Sequence, residues 1–358
     1  MKNKIKVFSG TRATGRLHLG NYLGAVKGYL ALQNNPDYDC IYMAVDLHAI
    51  TTPYDHAQLA DSTREIIIDY LAAGLDPDKA IITAQSLVPE HTYLAFLFST
   101  IISVARMQHL PTFKEKVKQH PDDVTLALLN YPVLMAADIL IYHGELVPVG
   151  LDQLPHLEVA REIARKMNDR FGLNFPEPKR FATKGEYIPS LKGEGKMSKS
   201  VEGSYINMTD DLATIEKRLA GAPTDSGKGE IKEIEVDTAR PKTSKVSKKQ
   251  YVDQHTGKVS PGVANLLILL ELFKGEERRQ FYEDKYTADG IRYNQLKQEL
   301  AEAIYQELEP FQKKRVELIA NPEYVSQVIK QGAAKARKRA QQTLLEVRQK
   351  MGLGEIDS

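Results

Sequence analysis

Lys196-Met197-Ser198-Lys199-Ser200 puts two ammonium groups three positions apart on a short polar stretch. Lys192-Gly193-Glu194-Gly195 precedes it, and two glycines in four residues predict a loop spanning about 190–202. A mobile cationic loop of this kind can close over a polyphosphate and hold positive charge where negative charge develops. By itself the segment is equally well an ordinary solvated lysine loop. A second element narrows the choice. Thr14-Gly15-Arg16-Leu17-His18-Leu19-Gly20-Asn21 follows an apolar strand-like run, Ile5–Phe8, and opens a helix expected from about Gly20 to Gln33. A helix N-terminus offers unpaired N–H groups to an anion. Gly20 lets a flat base approach the backbone, and His18 and Asn21 can hydrogen-bond phosphate or ribose oxygens. Either element alone is weak; together, in this order, they indicate a nucleotide site.

Such a site needs a scaffold. Ile5–Phe8, Cys40–Val45, Ala80–Ala84 and Leu146–Gly150 read as strands, with an amphipathic helix over Asp61–Ala73 between the second and third. Strands alternating with helices predict an α/β, Rossmann-like doubly wound parallel sheet. Ligands in such sheets lie beyond the carboxyl ends of the strands, where the candidate residues fall. A helical insertion is expected over about 92–129. From about 206 the pattern is helical, with helices over Val263–Lys274, Tyr293–Leu308 and Tyr324–Met351, and Gly352 suits a helix stop. The expected division is therefore a catalytic domain, 1–205, and a helical domain, 206–358. Within the latter, 221–260 is polar and carries Arg240, Lys242, Lys245, Lys248 and Lys249; it reads as a solvated insertion, a loop or short hairpin, or an RNA-touching arm.

Composition sets limits. A single cysteine, Cys40, excludes an internal disulfide framework and a thiolate-rich metal site. No apolar run approaches the roughly 18 residues of a membrane helix, and Met1–Lys4 lacks signal or transit character, so a cytoplasmic protein is expected. The formal charge of +1 gives no support for a nucleic-acid partner, since the distribution of charge decides that.

One helix singles out a binding face. Pro132 suits a first helical position, and Tyr131, Met135 and Asp138 share a face at i, i+4 and i+7. A ring, a thioether and a carboxylate then stand together. The carboxylate on that apolar face needs a partner, which can be a structural cation or a substrate donor.

These segments resemble the class I aminoacyl-tRNA synthetases. The two nucleotide elements look like the HIGH and KMSKS signatures of that class, at a spacing like that of its smallest members, for tyrosine and tryptophan. Val45-Asp46-Leu47-His48-Ala49-Ile50-Thr51, Phe113-Lys114-Glu115-Lys116, Tyr131–Leu140, Val147-Pro148-Val149-Gly150-Leu151-Asp152-Gln153 and Gly332–Gly352 are similar to segments of the tryptophanyl-tRNA synthetase family. The chain departs from it where most bacterial members have Gln-Pro-Ser and this one has Arg12-Ala13-Thr14. His18 stands where many have Thr, and 221–260 is longer.

The resemblance implies an enzyme that activates L-tryptophan with Mg-ATP and transfers it to the 3′-terminal adenosine of tRNA(Trp). Lys196, Lys199, Lys116 and His18 would serve the reacting phosphates. Arg12, Thr14, Gly20, Asn21, Gly150, Asp152, Met197 and Ser198 would complete the ATP site. Phe8, His48, Tyr131, Met135, Asp138, Val147, Val149 and Gln153 would line the tryptophan pocket, with Asp138 accepting the indole N–H. No protein-held metal is implied, since Mg²⁺ travels with the nucleotide. A homodimer is implied, with the helical domain reading the anticodon and no role for DNA or membrane. The alternatives are a tyrosine enzyme, a non-catalytic tryptophan- or tRNA-binding paralogue, and a small nucleotidyltransferase.

Overall fold

The computed structural model describes residues 4–182, 187–199, 201–237 and 245–354. Ser200, Arg240 and Lys242 lie outside them, and of Lys245 only the backbone is described. Five strands form one sheet: β1 Ile5–Arg12, β2 Tyr38–Val45, β3 Ala80–Ala84, β4 Leu146–Pro148 and β5 Lys179–Phe181. Their order is β3-β2-β1-β4-β5 and every pairing is parallel. Cys40–Val45 and all of β3 are buried without alternation, the mark of strands covered on both faces. β5 had no counterpart in the sequence reading: three residues, Lys-Arg-Phe, are too few to show a period.

Fourteen α-helical segments are described: α1 Leu19–Asn21, α2 Lys27–Gln33, α3 Asp46–Ala49, α4 Leu59–Ala72, α5 Glu90–Ser99, α6 Val104–Gln108, α7 Pro111–Gln119, α8 Leu126–Leu140, α9 Leu154–Phe171, α10 Leu212–Ala220, α11 Pro261–Lys274, α12 Glu276–Thr287, α13 Tyr293–Ala320 and α14 Pro322–Lys350. The helix expected from Gly20 to Gln33 is realised as α1 and α2 joined by a π-helical turn, Tyr22–Val26. Pro132 is not at a helix start. Thr125 caps α8, its side chain accepting from the Leu128 N–H at 3.1 Å, so Pro132 lies inside the helix. It withholds one bond from the Leu128 carbonyl. The helix continues because Leu128, Val133, Ala136, Ala137, Ile139 and Leu140 are buried along it. The 221–260 stretch contains an antiparallel hairpin, β6 Gly229–Asp237 and β7 Lys245–Asp253.

The residues sort into two compact units, one of 1–16, 24–186 and 314–358, the other of 17–23 and 187–313. In the first, α2 and α4 pack on β2, α8 on β1 and α14 on β3. The last contact is close: a Cβ on Gly332 would stand 2.0 Å from the Ile82 carbonyl oxygen. Thr83 Oγ1 donates to the Ile329 carbonyl at 3.0 Å there, and Arg337 and Arg339 pair with Glu90 and Asp39. In the second unit the hairpin is fixed to α12 through buried Glu283, which accepts from Lys249, Tyr251 and Arg279. Among the described residues no helix is long and apolar enough to cross a membrane.

Candidate active site

The first unit holds a polar network at the carboxyl ends of the sheet strands. Its centre is Asp138 of α8, 1 % exposed. Asp138 Oδ2 accepts from His48 Nε2 at 2.7 Å, and Oδ1 accepts from Gln85 Nε2 at 2.7 Å and His91 Nδ1 at 2.5 Å. Burial alone would push this carboxyl up. The hydrogen bonds from His48 and His91 outweigh burial and hold it well below the usual carboxylate range, so it is ionised at neutral pH.

A second chain of bonds runs beside it. His156 Nδ1 donates to Gln153 Oε1 at 2.8 Å, and its Nε2 lies 2.8 Å from both the Tyr131 and Thr112 hydroxyls. Gln153 Nε2 in turn donates to Asp152 Oδ2 at 2.8 Å. Burial pushes His156 down to about 4 against the opposing charge of Asp152, so the ring is neutral and can accept at Nε2. Tyr131 and His48 stand edge to face, ring centres 6.4 Å apart. Phe8 stacks on Tyr142 at 5.7 Å within the core, which also contains Val147; Met135 and Val149 are half-buried against it. Gly150 leads the short 3₁₀ turn Leu151–Gln153 that carries Asp152.

Arg12, at the end of β1, points its guanidinium at the segment after β2. Nε donates to the His48 carbonyl at 2.9 Å, and the group also reaches the Ala49 carbonyl and Thr52 Oγ1. Lys116 on α7 is lowered by burial and then by the nearby charge of Arg12. Two cations held near each other favour an anion. Thr14 is exposed in the turn that follows, its N–H bonded to the Arg12 carbonyl.

The second unit holds His18, Gly20, Asn21 and the Lys196–Lys199 segment. The Leu19 N–H bonds the Ile206 carbonyl, and the His18 N–H bonds Asn21 Oδ1 at 3.2 Å. Met197 is 2 % exposed and its N–H bonds the Ile188 carbonyl, so the lysine segment is anchored between Lys196 and Lys199. Ser204 Oγ donates to the Ser198 carbonyl. His18 is pushed down to about 4, by burial first and then by the charges of Lys199 and Lys196. Its Nδ1 is buried and has no hydrogen-bond partner among the described residues. Gly20 makes room for this ring: a Cβ there would stand 2.8 Å from His18 Cε1 and 2.9 Å from Nδ1. Gly20→Ala is therefore expected to displace His18 and lower the kcat of pyrophosphate–ATP exchange by roughly 10²-fold. Activity within about threefold of the parent would show that the ring position is not critical.

Sequence reasoning missed Gln85, His91, Tyr142, Thr112 and His156. Gln85 follows β3 directly and His156 stands three residues after Gln153, so position beyond a strand end and helical spacing could have flagged both. Nothing local marks His91, Tyr142 or Thr112.

A family model described as tRNA synthetases class I (W and Y) matches residues 1–309. The chain belongs to this family. It is similar to the tryptophan–tRNA ligases of Clostridium acetobutylicum, 37% identical and covering 98% of each chain, and of Caldanaerobacter subterraneus subsp. tengcongensis, 39% identical over 97% of this chain and 98% of that one. A crystal structure of tryptophanyl-tRNA synthetase from Campylobacter jejuni complexed with ADP and tryptophan superposes with a TM-score of 0.78 at 28% identity, over 97% of this chain and all of that one. The synthetase is thus an aminoacyl-tRNA ligase, on the parallel α/β sheet with a helical C-terminal region that the sequence predicts.

Two histidines lowered to about 4, His18 and His156, give the synthetase a pH signature, and burial lowers His143 in the same direction. An unfolded histidine takes up a proton near 6.5, whereas folded His18 and His156 refuse it until about 4. Between those values the unfolded chain binds more protons, so stability falls as pH falls. Urea unfolding at pH 5 is expected to give roughly 1–3 kcal/mol less stability than at pH 7. A His18→Gln, His156→Gln double variant should flatten that slope, and an equally steep slope would place its origin elsewhere.

Proposed function

We propose that the synthetase binds tryptophan with its indole N–H on Asp138 and binds ATP at His18, Gly20, Asn21 and the Lys196–Lys199 segment. The activity is ATP-dependent ligation of tryptophan to tRNA. One observation carries the pocket assignment: a fully buried, ionised carboxylate beside Tyr131 on α8, with acceptor capacity beyond its three bonds. Such an acceptor would be left unpaired by phenylalanine, and that penalty is what rejects a near-isostere.

In the first step the tryptophan carboxylate oxygen attacks the α-phosphorus of ATP. The bond from that phosphorus to the bridging oxygen breaks, and pyrophosphate leaves with Mg²⁺. No protein nucleophile is required; the chain's work is positioning and charge stabilisation. Lys196 and Lys199 hold the departing pyrophosphate. Neutral His18 offers a hydrogen bond to the reacting phosphate without adding charge, and its Nδ1, without a partner among the described residues, fits a nucleotide ligand. Gln153, held by His156, faces the amino acid end, and Asp152 serves the ribose. In the second step a ribose hydroxyl of the terminal adenosine of tRNA(Trp) attacks the acyl carbon and AMP leaves.

Residues 206–358 supply the tRNA anticodon contacts in this reading, through stacking and base-edge bonds. Exposed Leu87, Tyr93 and Phe96, the last 67 % accessible, support burial against a second copy of the chain. A cytoplasmic location is proposed, where tRNA is charged for translation.

The chain contains no tryptophan, so bound tryptophan is visible by its own fluorescence over a tyrosine background. Pyrophosphate–ATP exchange driven by tryptophan and not by tyrosine is the expected result. Exchange with tyrosine instead, or fluorescence-detected binding without exchange, would overturn the assignment.

A further inference from the structure

Asp138 is surrounded by more donors than one substrate contact requires, and the geometry sorts them by oxygen. A carboxylate offers about four lone-pair sites, two on each oxygen. Both sites of Oδ1 are taken, one by Gln85 Nε2 and one by His91 Nδ1. Oδ2 accepts one bond, from His48 Nε2.

Each donor is in turn held in place. Gln85 Oε1 accepts the Leu47 N–H at 3.2 Å, which turns the amide so that its NH₂ faces Asp138. His91 Nε2 lies 2.7 Å from the Tyr142 hydroxyl. Nδ1 faces a carboxylate oxygen that can only accept, so the ring hydrogen sits there, and neutral His91 then accepts the Tyr142 hydroxyl at Nε2, a phenol that burial keeps protonated. The His48 backbone is clipped by Arg12 Nε and by Thr51 Oγ1, both 2.9 Å from its carbonyl oxygen.

We propose that Gln85 and the Tyr142–His91 pair are specificity-positioning residues, which fill Oδ1 and leave a single acceptor site on Oδ2 for a substrate N–H. The proposal rests on the reading of Asp138 as the indole acceptor. With Oδ1 filled, the carboxylate can neither rotate nor offer a second acceptor, so a ring atom without hydrogen finds no compensating arrangement. The pocket thus selects for one N–H donor in one direction, beyond selecting for size.

The test uses tryptophan and its near-isostere with sulfur in place of the indole N–H, each assayed by pyrophosphate–ATP exchange on the full-length protein. For the parent, kcat/KM is expected to favour tryptophan on the order of 10³-fold or more. His91→Phe frees one site on Oδ1 and should cut that ratio at least about tenfold, chiefly through KM for tryptophan. Tyr142→Phe removes only the hydroxyl that holds the ring at Nε2 and should reduce the ratio several-fold with the fold retained; it decides the matter if His91→Phe does not fold. His91→Gln, which can still donate to Oδ1, should restore part of the ratio. A ratio unchanged in folded His91→Phe or Tyr142→Phe would overturn the proposal and reduce these residues to packing. A parent that does not discriminate the two substrates would instead overturn the Asp138 assignment itself.

Discussion

Asp138→Asn is expected to lower tryptophan-dependent pyrophosphate–ATP exchange by about 10³-fold or more, with a loss of stability of a few kcal/mol. The amide has one oxygen where the carboxylate has two, and three side chains already donate to the carboxylate. Whichever way the amide turns, its NH₂ faces a donor, either His48 or the Gln85–His91 pair. A buried donor left without an acceptor costs roughly 1–3 kcal/mol. The loss of activity should therefore exceed what removal of one substrate bond would produce, because the framework of donors reorganises as well. Exchange kinetics on protein with a native circular dichroism spectrum make the measurement. Activity within tenfold of the parent would remove Asp138 from the centre of the pocket.

Gly332→Ala is expected to destabilise the first unit by roughly 3 kcal/mol or more, although it adds a single methyl group far from any reacting atom. That methyl would sit 2.0 Å from the Ile82 carbonyl oxygen, a backbone atom in a buried strand that cannot swing aside. α14 has to lift from β3, and the Thr83–Ile329 bond is strained with it. Alanine at Gly172, where no atom of the described residues lies within 4 Å of the added carbon, tests the other side, with only the cost of its positive φ. Urea unfolding gives the magnitude, and amide exchange along α14 shows whether the loss is local. A cost below about 1 kcal/mol would mean that helix and strand separate easily.

Much of the scaffold was legible because burial on both faces leaves an uninterrupted apolar run, as in Cys40–Val45 and Ala80–Ala84. The strand ends then pointed to His48 and, across β4, to the segment ending in Gln153. Other features have no local signature. β5 is too short to carry a period, and Pro132 imitates a helix start while Thr125 provides the true cap. The partners of Asp138 come from three separate segments and meet only in the folded chain. Arg12 illustrates the same limit. Its residue type suggests phosphate; that Nε and one terminal nitrogen also reach oxygens of His48, Ala49 and Thr52 appears only in the fold. Charge is visible in a sequence, but the direction in which a side chain points is not.

The contact between α14 and β3 joins residues 246 positions apart, which sets an order of events during synthesis. A ribosome completes the strand long before it makes the helix that covers it. At about 5–20 residues per second, β3 waits for many seconds with one face exposed. A message cut short before α14 therefore yields a chain with an apolar sheet face open to solvent, the kind of surface that chaperones and proteases engage.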